Sequence, residues 1–118
     1  MEFIEAPLFT QLLPDFLTDD GYRELQQHLS RDPEVGAVIP GTGGFRKLRW
    51  ADARRGKGKR GGLRVIYYYL ASDSQIWLVT VYDKDMAMDL SPTEKRILKA
   101  AIERETRERA SRRTGPRK

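Results

Sequence analysis

With 118 residues, 39% of them hydrophobic and 33% charged, and a net charge of +5, the chain has material for one buried core and is too apolar for a disordered polyelectrolyte. Zero cysteines exclude a disulfide framework, thiol catalysis and cysteine-ligated metal centres, and a single histidine, His28, excludes a multi-histidine centre. No run approaches the ~18 apolar residues of a membrane span, and Met1-Glu2-Phe3-Ile4-Glu5 lacks the basic start and apolar core of a secretion signal, so a soluble cytoplasmic protein with no membrane association is expected.

Phe3-Ile4-Glu5 fits a short strand. Pro7 then opens a segment with Leu8, Phe9, Leu12 and Leu13 on one helical face, which Pro14 and Asp15 are expected to interrupt. Thr18 reads as an N-cap, followed by Asp19 and Asp20 in the first turn and by Tyr22, Leu25 and Leu29 at helical spacing until Asp32-Pro33. Residues 35–44 are rich in Gly and Pro and read as loop. In Phe45-Arg46-Lys47-Leu48-Arg49-Trp50 the alternation puts Leu48 and Trp50 on a core face and Lys47 and Arg49 on the other, as in a half-buried strand.

Residues 51–62 have four glycines and no apolar period, which predicts a basic loop between two antiparallel strands. Leu63-Arg64-Val65-Ile66-Tyr67-Tyr68-Tyr69-Leu70 is apolar on both parities and predicts a central strand. After a turn at residues 71–75, Ile76-Trp77-Leu78-Val79-Thr80-Val81-Tyr82 predicts its hairpin partner. Ser91-Pro92-Thr93-Glu94 is a capping box, and Ile97, Leu98, Ala101 and Ile102 form the buried stripe of a last helix. Beyond Ile102 no apolar side chain exceeds Ala110, so one domain is expected over residues 1–106 and a frayed or disordered basic tail, supplying attraction without chemistry, over 107–118.

Charge is concentrated. Residues 46–64 carry nine cations against Asp52, a net of +8, and residues 107–118 carry six against Glu108, a net of +5, which leaves an acidic remainder of −8. A basic segment on an acidic body suits a polyanion, above all nucleic acid, because each phosphate contact releases condensed counterions. Arg64 is the one charge in an otherwise apolar strand, a placement that costs stability unless it is paired or faces a site. Asp83 and Asp85 are its expected partners within the fold, and a phosphate its expected partner in function. Gly56-Lys57-Gly58-Lys59-Arg60-Gly61 has the spacing of a dinucleotide fingerprint, but a strand follows it where that fingerprint needs a helix. His28 has no second imidazole to work with and reads as a surface or helix-end residue.

Three segments, Gly41-Thr42-Gly43-Gly44-Phe45-Arg46-Lys47-Leu48-Arg49, then Gly56-Lys57-Gly58-Lys59-Arg60-Gly61-Gly62-Leu63-Arg64-Val65-Ile66-Tyr67-Tyr68, then Thr80-Val81-Tyr82-Asp83-Lys84, together resemble the RelE/HigB toxins of bacterial type II toxin-antitoxin modules. The resemblance spans residues 3–102 and is strongest over 41–84. It implies an α+β fold of RelE-like microbial ribonuclease architecture, with a small antiparallel β-sheet carrying helices on one side. It also implies a toxin that inhibits translation as a ribosome-dependent mRNA endonuclease, neutralised by a cognate antitoxin, expected to be of the helix-turn-helix type and encoded beside it.

The implied reaction is metal-independent and needs no cofactor: the ribose 2′-OH attacks the adjacent phosphate, leaving a 2′,3′-cyclic phosphate and a 5′-OH. It requires a proton acceptor, a proton donor and stabilisation of the phosphorane. Lys57 and Lys59 suit the acid-base roles, since crowding by other cations favours neutral lysine, and Arg64 suits the clamp on the phosphoryl oxygens. Lys84 stands where many members have a second basic residue. Many also carry an aromatic or histidine several positions later, where Met86, Ala87, Met88, Asp89 and Leu90 stand here. Arg46, Lys47, Arg49, Arg54, Arg55 and Arg60 are expected to hold RNA, and Tyr82 either stacks on a base or, as its strand position equally allows, packs in the core. The same basic surface would also serve a non-catalytic RNA- or ribosome-binding module.

Overall fold

The computed structural model describes residues 1–52, 62–86 and 90–114. It is an α+β fold: a five-stranded mixed sheet with helices packed on it. The elements run β1 (Glu2–Glu5), α1 (Pro7–Phe16), α2 (Asp19–Arg31), β2 (Ala37–Val38), β3 (Arg46–Trp50), β4 (Leu63–Leu70), a single 3-10 turn (Ala71–Asp73), β5 (Gln75–Asp83) and α3 (Pro92–Thr114). The sheet order is β1-β5-β4-β3-β2. Among the described residues no helix is long and apolar enough to cross a membrane.

Both caps read from the sequence form. Thr18 Oγ1 accepts from Gly21 N at 3.0 Å, and Ser91 and Glu94 exchange bonds of 3.1 and 2.8 Å between side chain and backbone. Pro14 does not interrupt α1. It sits in the last turn, the helix passes through it to Phe16, and Leu17 N closes the end on Leu13 O at 2.9 Å. The missing donor is offset by packing, because Leu12, Leu13, Phe16 and Leu17 all lie against the core.

β4 is apolar on both parities because both faces of the sheet are covered. Leu63, Val65 and Tyr67 join Phe9, Leu25 and Leu29 of α1 and α2, whereas Ile66 and Leu70 join Ile39, Phe45 and Ile102 of α3. Helices therefore lie on both faces, not on one. The sheet is also not wholly antiparallel, since β1 runs parallel to β5 in the register Glu2↔Gln75 to Glu5↔Leu78. Alternation within a strand sets which face is buried but not the identity or direction of its neighbour, which here lies some seventy residues away in the chain. Residues 35–44, expected to be loop, contain the two-residue strand β2 on the edge beside β3.

The expected tail is helix as far as Thr114. The apolar stripe ends at Ile102, but Arg109 replaces it as an anchor. Its Nη1 lies 2.7 Å from Asp73 Oδ2, its Nε 2.8 Å from Glu105 Oε2, and its guanidinium carbon 5.4 Å from the Trp77 ring centre. At 17% side-chain exposure this is a half-dry contact, and a polar anchor of this kind leaves no trace in hydrophobic periodicity.

Glu5 ties β1 to α1 and α2, accepting from Thr10 Oγ1 at 2.6 Å and from the Tyr22 hydroxyl at 2.7 Å. Burial first, then the Glu5 carboxylate, raises the Tyr22 pKa well above its ordinary 10.0. The unfolded chain therefore releases this proton at lower pH than the folded one, so stability is intact below pH 10.0 and falls as pH rises beyond it. The urea midpoint is expected to decline above that pH, and Tyr22→Phe to flatten the decline. An unchanged slope in Tyr22→Phe would show that Tyr22 is not the responsible group.

Candidate nucleic-acid interface and active site

Cross-strand register places the cations of the α3-side face. Arg49 lies directly opposite Arg64, and Arg64 directly opposite Tyr82, so the three form one row across β3, β4 and β5. The next row on the same face is Lys47, Ile66 and Thr80. Tyr82 reaches this face through a bulge. Tyr67 pairs with Leu78 but Ile66 pairs with Thr80, leaving Val79 as the extra residue and shifting the parity of the rest of β5. Without it Tyr82 would face α1 and α2.

Two arginines in direct cross-strand opposition repel each other, so the row is destabilising until an anion lies between them. Arg64 is half-buried, and the one hydrogen bond it makes among the described residues runs from Nη1 to the Leu63 carbonyl at 3.2 Å. Its expected partner Asp83 lies opposite Leu63 on the other face, fully buried, where Oδ1 accepts from Asp85 N at 2.8 Å. Strand alternation separates the pair. Arg49→Thr, which removes the repulsion and keeps a β-former, is expected to stabilise the protein by up to ~1 kcal/mol at low salt, less at high salt. Inorganic phosphate at constant ionic strength should reverse that order by stabilising the parent alone. A variant less stable than the parent in both buffers would contradict the repulsion.

The remaining expected residues divide. Lys47 is half-buried beside Ile66, and Lys84, exposed, continues from β5 with its N–H on Gly62 O at 3.3 Å. Arg46 belongs elsewhere. It pairs with Tyr67 on the opposite face, donates to the carbonyls of Glu34 at 2.9 Å and Gly36 at 2.8 Å, and lies 3.6 Å from the Glu34 carboxylate. Those bonds make it a brace for the turn before β2. Lys57, Lys59, Arg54, Arg55 and Arg60 lie outside the described residues, between Asp52 and Gly62. His28 closes α2 with its ring 5.3 Å from that of Trp50, as a packing residue.

Two α3 lysines that no sequence motif singles out, Lys95 and Lys99, lie against the glycine turn before β3. The turn at Gly41, Gly43 and Gly44 uses φ of 83°, 78° and 117°, and α3 rests on it. A Cβ on Gly41 would stand 3.5 Å from Lys95 Cδ, and one on Gly43 would stand 3.3 Å from Lys99 Cγ and from Ile102 Cγ2. Their signal was the glycine run itself, which marks a close approach without saying of what. No known protein-family model matches the chain.

Proposed function

We propose that this chain is the toxin of a toxin-antitoxin pair, a ribosome-dependent endoribonuclease that cleaves mRNA and so stops translation. The observation that carries this reading is the Arg49, Arg64 and Tyr82 row, two guanidinium groups in register that form no ion pair among the described residues, beside an aromatic ring on the next strand. Such a row suits one phosphate held on two sides, with donors fixed before the reaction by strands and not by a loop. The sequence resemblance to RelE/HigB toxins falls on these same residues and supplies the reaction class.

In that reading the attacking 2′-OH loses its proton to one lysine and the 5′ leaving oxygen gains one from another. Lys57 and Lys59 take these roles, and Lys84 and Lys47 add positive charge as the phosphorane forms. Cytoplasmic action on ribosome-bound mRNA and neutralisation by a helix-turn-helix antitoxin belong to the same proposal. Induced expression in bacteria should arrest growth and translation, with primer extension revealing new ends inside translated codons. Growth arrest with intact translated mRNA would overturn it.

A further inference from the structure

Next to the arginine row, between the sheet and the N-terminal half of α3, lies a cavity of about 170 Å³. Its walls include Ala37, Ile39, Ile66, Tyr82 and Leu90, with the half-buried Lys47 and Lys95 also lining it. Pockets for drug-sized ligands run to ~300–1,000 Å³, so this one has room for a single small ring system. Lys47 is two residues from Arg49 on one strand face, a separation of roughly 7 Å, and Tyr82 belongs to both the cavity and the arginine row. An anion on Arg49 and Arg64 therefore has a mostly apolar pocket, fringed with donors, within the reach of one sugar.

We propose that this cavity is a nucleobase subsite: it takes the base of one of the two nucleotides flanking the phosphate bound by Arg49 and Arg64, seating it against Tyr82, Ile66 and Leu90. Lys95 donates to that base or its sugar from α3, and Lys47 from β3. The inference rests on the ribonuclease reading and adds to it where the substrate is gripped beyond the phosphate. Charge alone would hold any polyanion. An apolar slot beside the clamp instead requires an unstacked base, so single-stranded RNA is held and a paired helix is not. Ala37, opposite Lys47 on the exposed edge strand β2, lines the cavity, so a larger side chain there would encroach on it.

The test uses the full chain with ribosomes programmed with a synthetic mRNA, comparing an intact codon with codons carrying one abasic residue on either side of the cut. Stacking of one base is worth ~1–3 kcal/mol, which converts to about 5- to 150-fold. Single-turnover cleavage by the parent is expected to slow about tenfold or more for one abasic position and little for the other. Ala37→Phe and Lys95→Ala should each slow the intact codon and shrink that ratio towards one, because the base and the pocket act together. Intact mRNA cleaved as fast as both abasic mRNAs, or a ratio unaltered in both variants, would overturn the subsite and leave the ribonuclease reading standing. No cleavage of intact mRNA by the parent would overturn both.

Discussion

Arg64→Ala is expected to lower single-turnover mRNA cleavage by roughly 10²–10³-fold, the loss that follows removal of one preorganised donor from a developing oxyanion. The fold should survive, because the side chain is half-buried at the start of β4 and its removal relieves the opposition to Arg49. Ribosome affinity should fall far less than cleavage, since on the proposed reading Lys47, Arg49 and Lys84 remain to meet phosphate. This separates the two readings of the basic surface. A non-catalytic RNA- or ribosome-binding module would lose activity only in proportion to binding. Circular dichroism, ribosome pelleting and cleavage on one preparation of the variant decide it.

What could be read from the chain in advance follows from what each signal encodes. The double-sided apolar pattern of residues 63–70 specified a central strand, and β4 lies between β3 and β5, but that the helices cover both of its faces was not expected. Alternation in β3 put Lys47 and Arg49 together correctly because nothing interrupts that strand. The same reasoning could not orient Tyr82, because the bulge at Val79 reverses parity and no residue type marks it. Nor could it separate Arg46 from its neighbours. A cation counted by position looks the same whether it faces a ligand or, as here, the carbonyls of Glu34 and Gly36. The length of α3 is hidden for a related reason, since Arg109 holds the helix by charge and leaves no apolar period beyond Ile102.

Tyr67→Ala is expected to be among the most destabilising single changes, about 3–5 kcal/mol by urea unfolding. The ring is fully buried in the core beneath α1 and α2, and its hydroxyl donates to the Pro33 carbonyl at 2.8 Å and accepts from Gly36 N at 2.9 Å. It thus fastens the segment between α2 and β2 to the central strand. Tyr67→Phe keeps the ring and removes the hydroxyl, leaving a donor and an acceptor unmatched, and should cost ~1–3 kcal/mol. The difference between the two variants isolates the packing contribution. Equal losses would mean that the ring itself contributes nothing, contrary to its burial.

The central claim is that these residues cut RNA through the substrate's own 2′-OH on the ribosome. Its most direct test is the chemistry of the new ends. Purified protein, incubated with ribosomes holding a defined mRNA, should yield an upstream fragment ending in a 2′,3′-cyclic phosphate and a downstream fragment with a 5′-OH, and no such ends when ribosomes are omitted. Fragments bearing a 3′-OH and a 5′-phosphate, or an mRNA that stays whole on the ribosome, would contradict it.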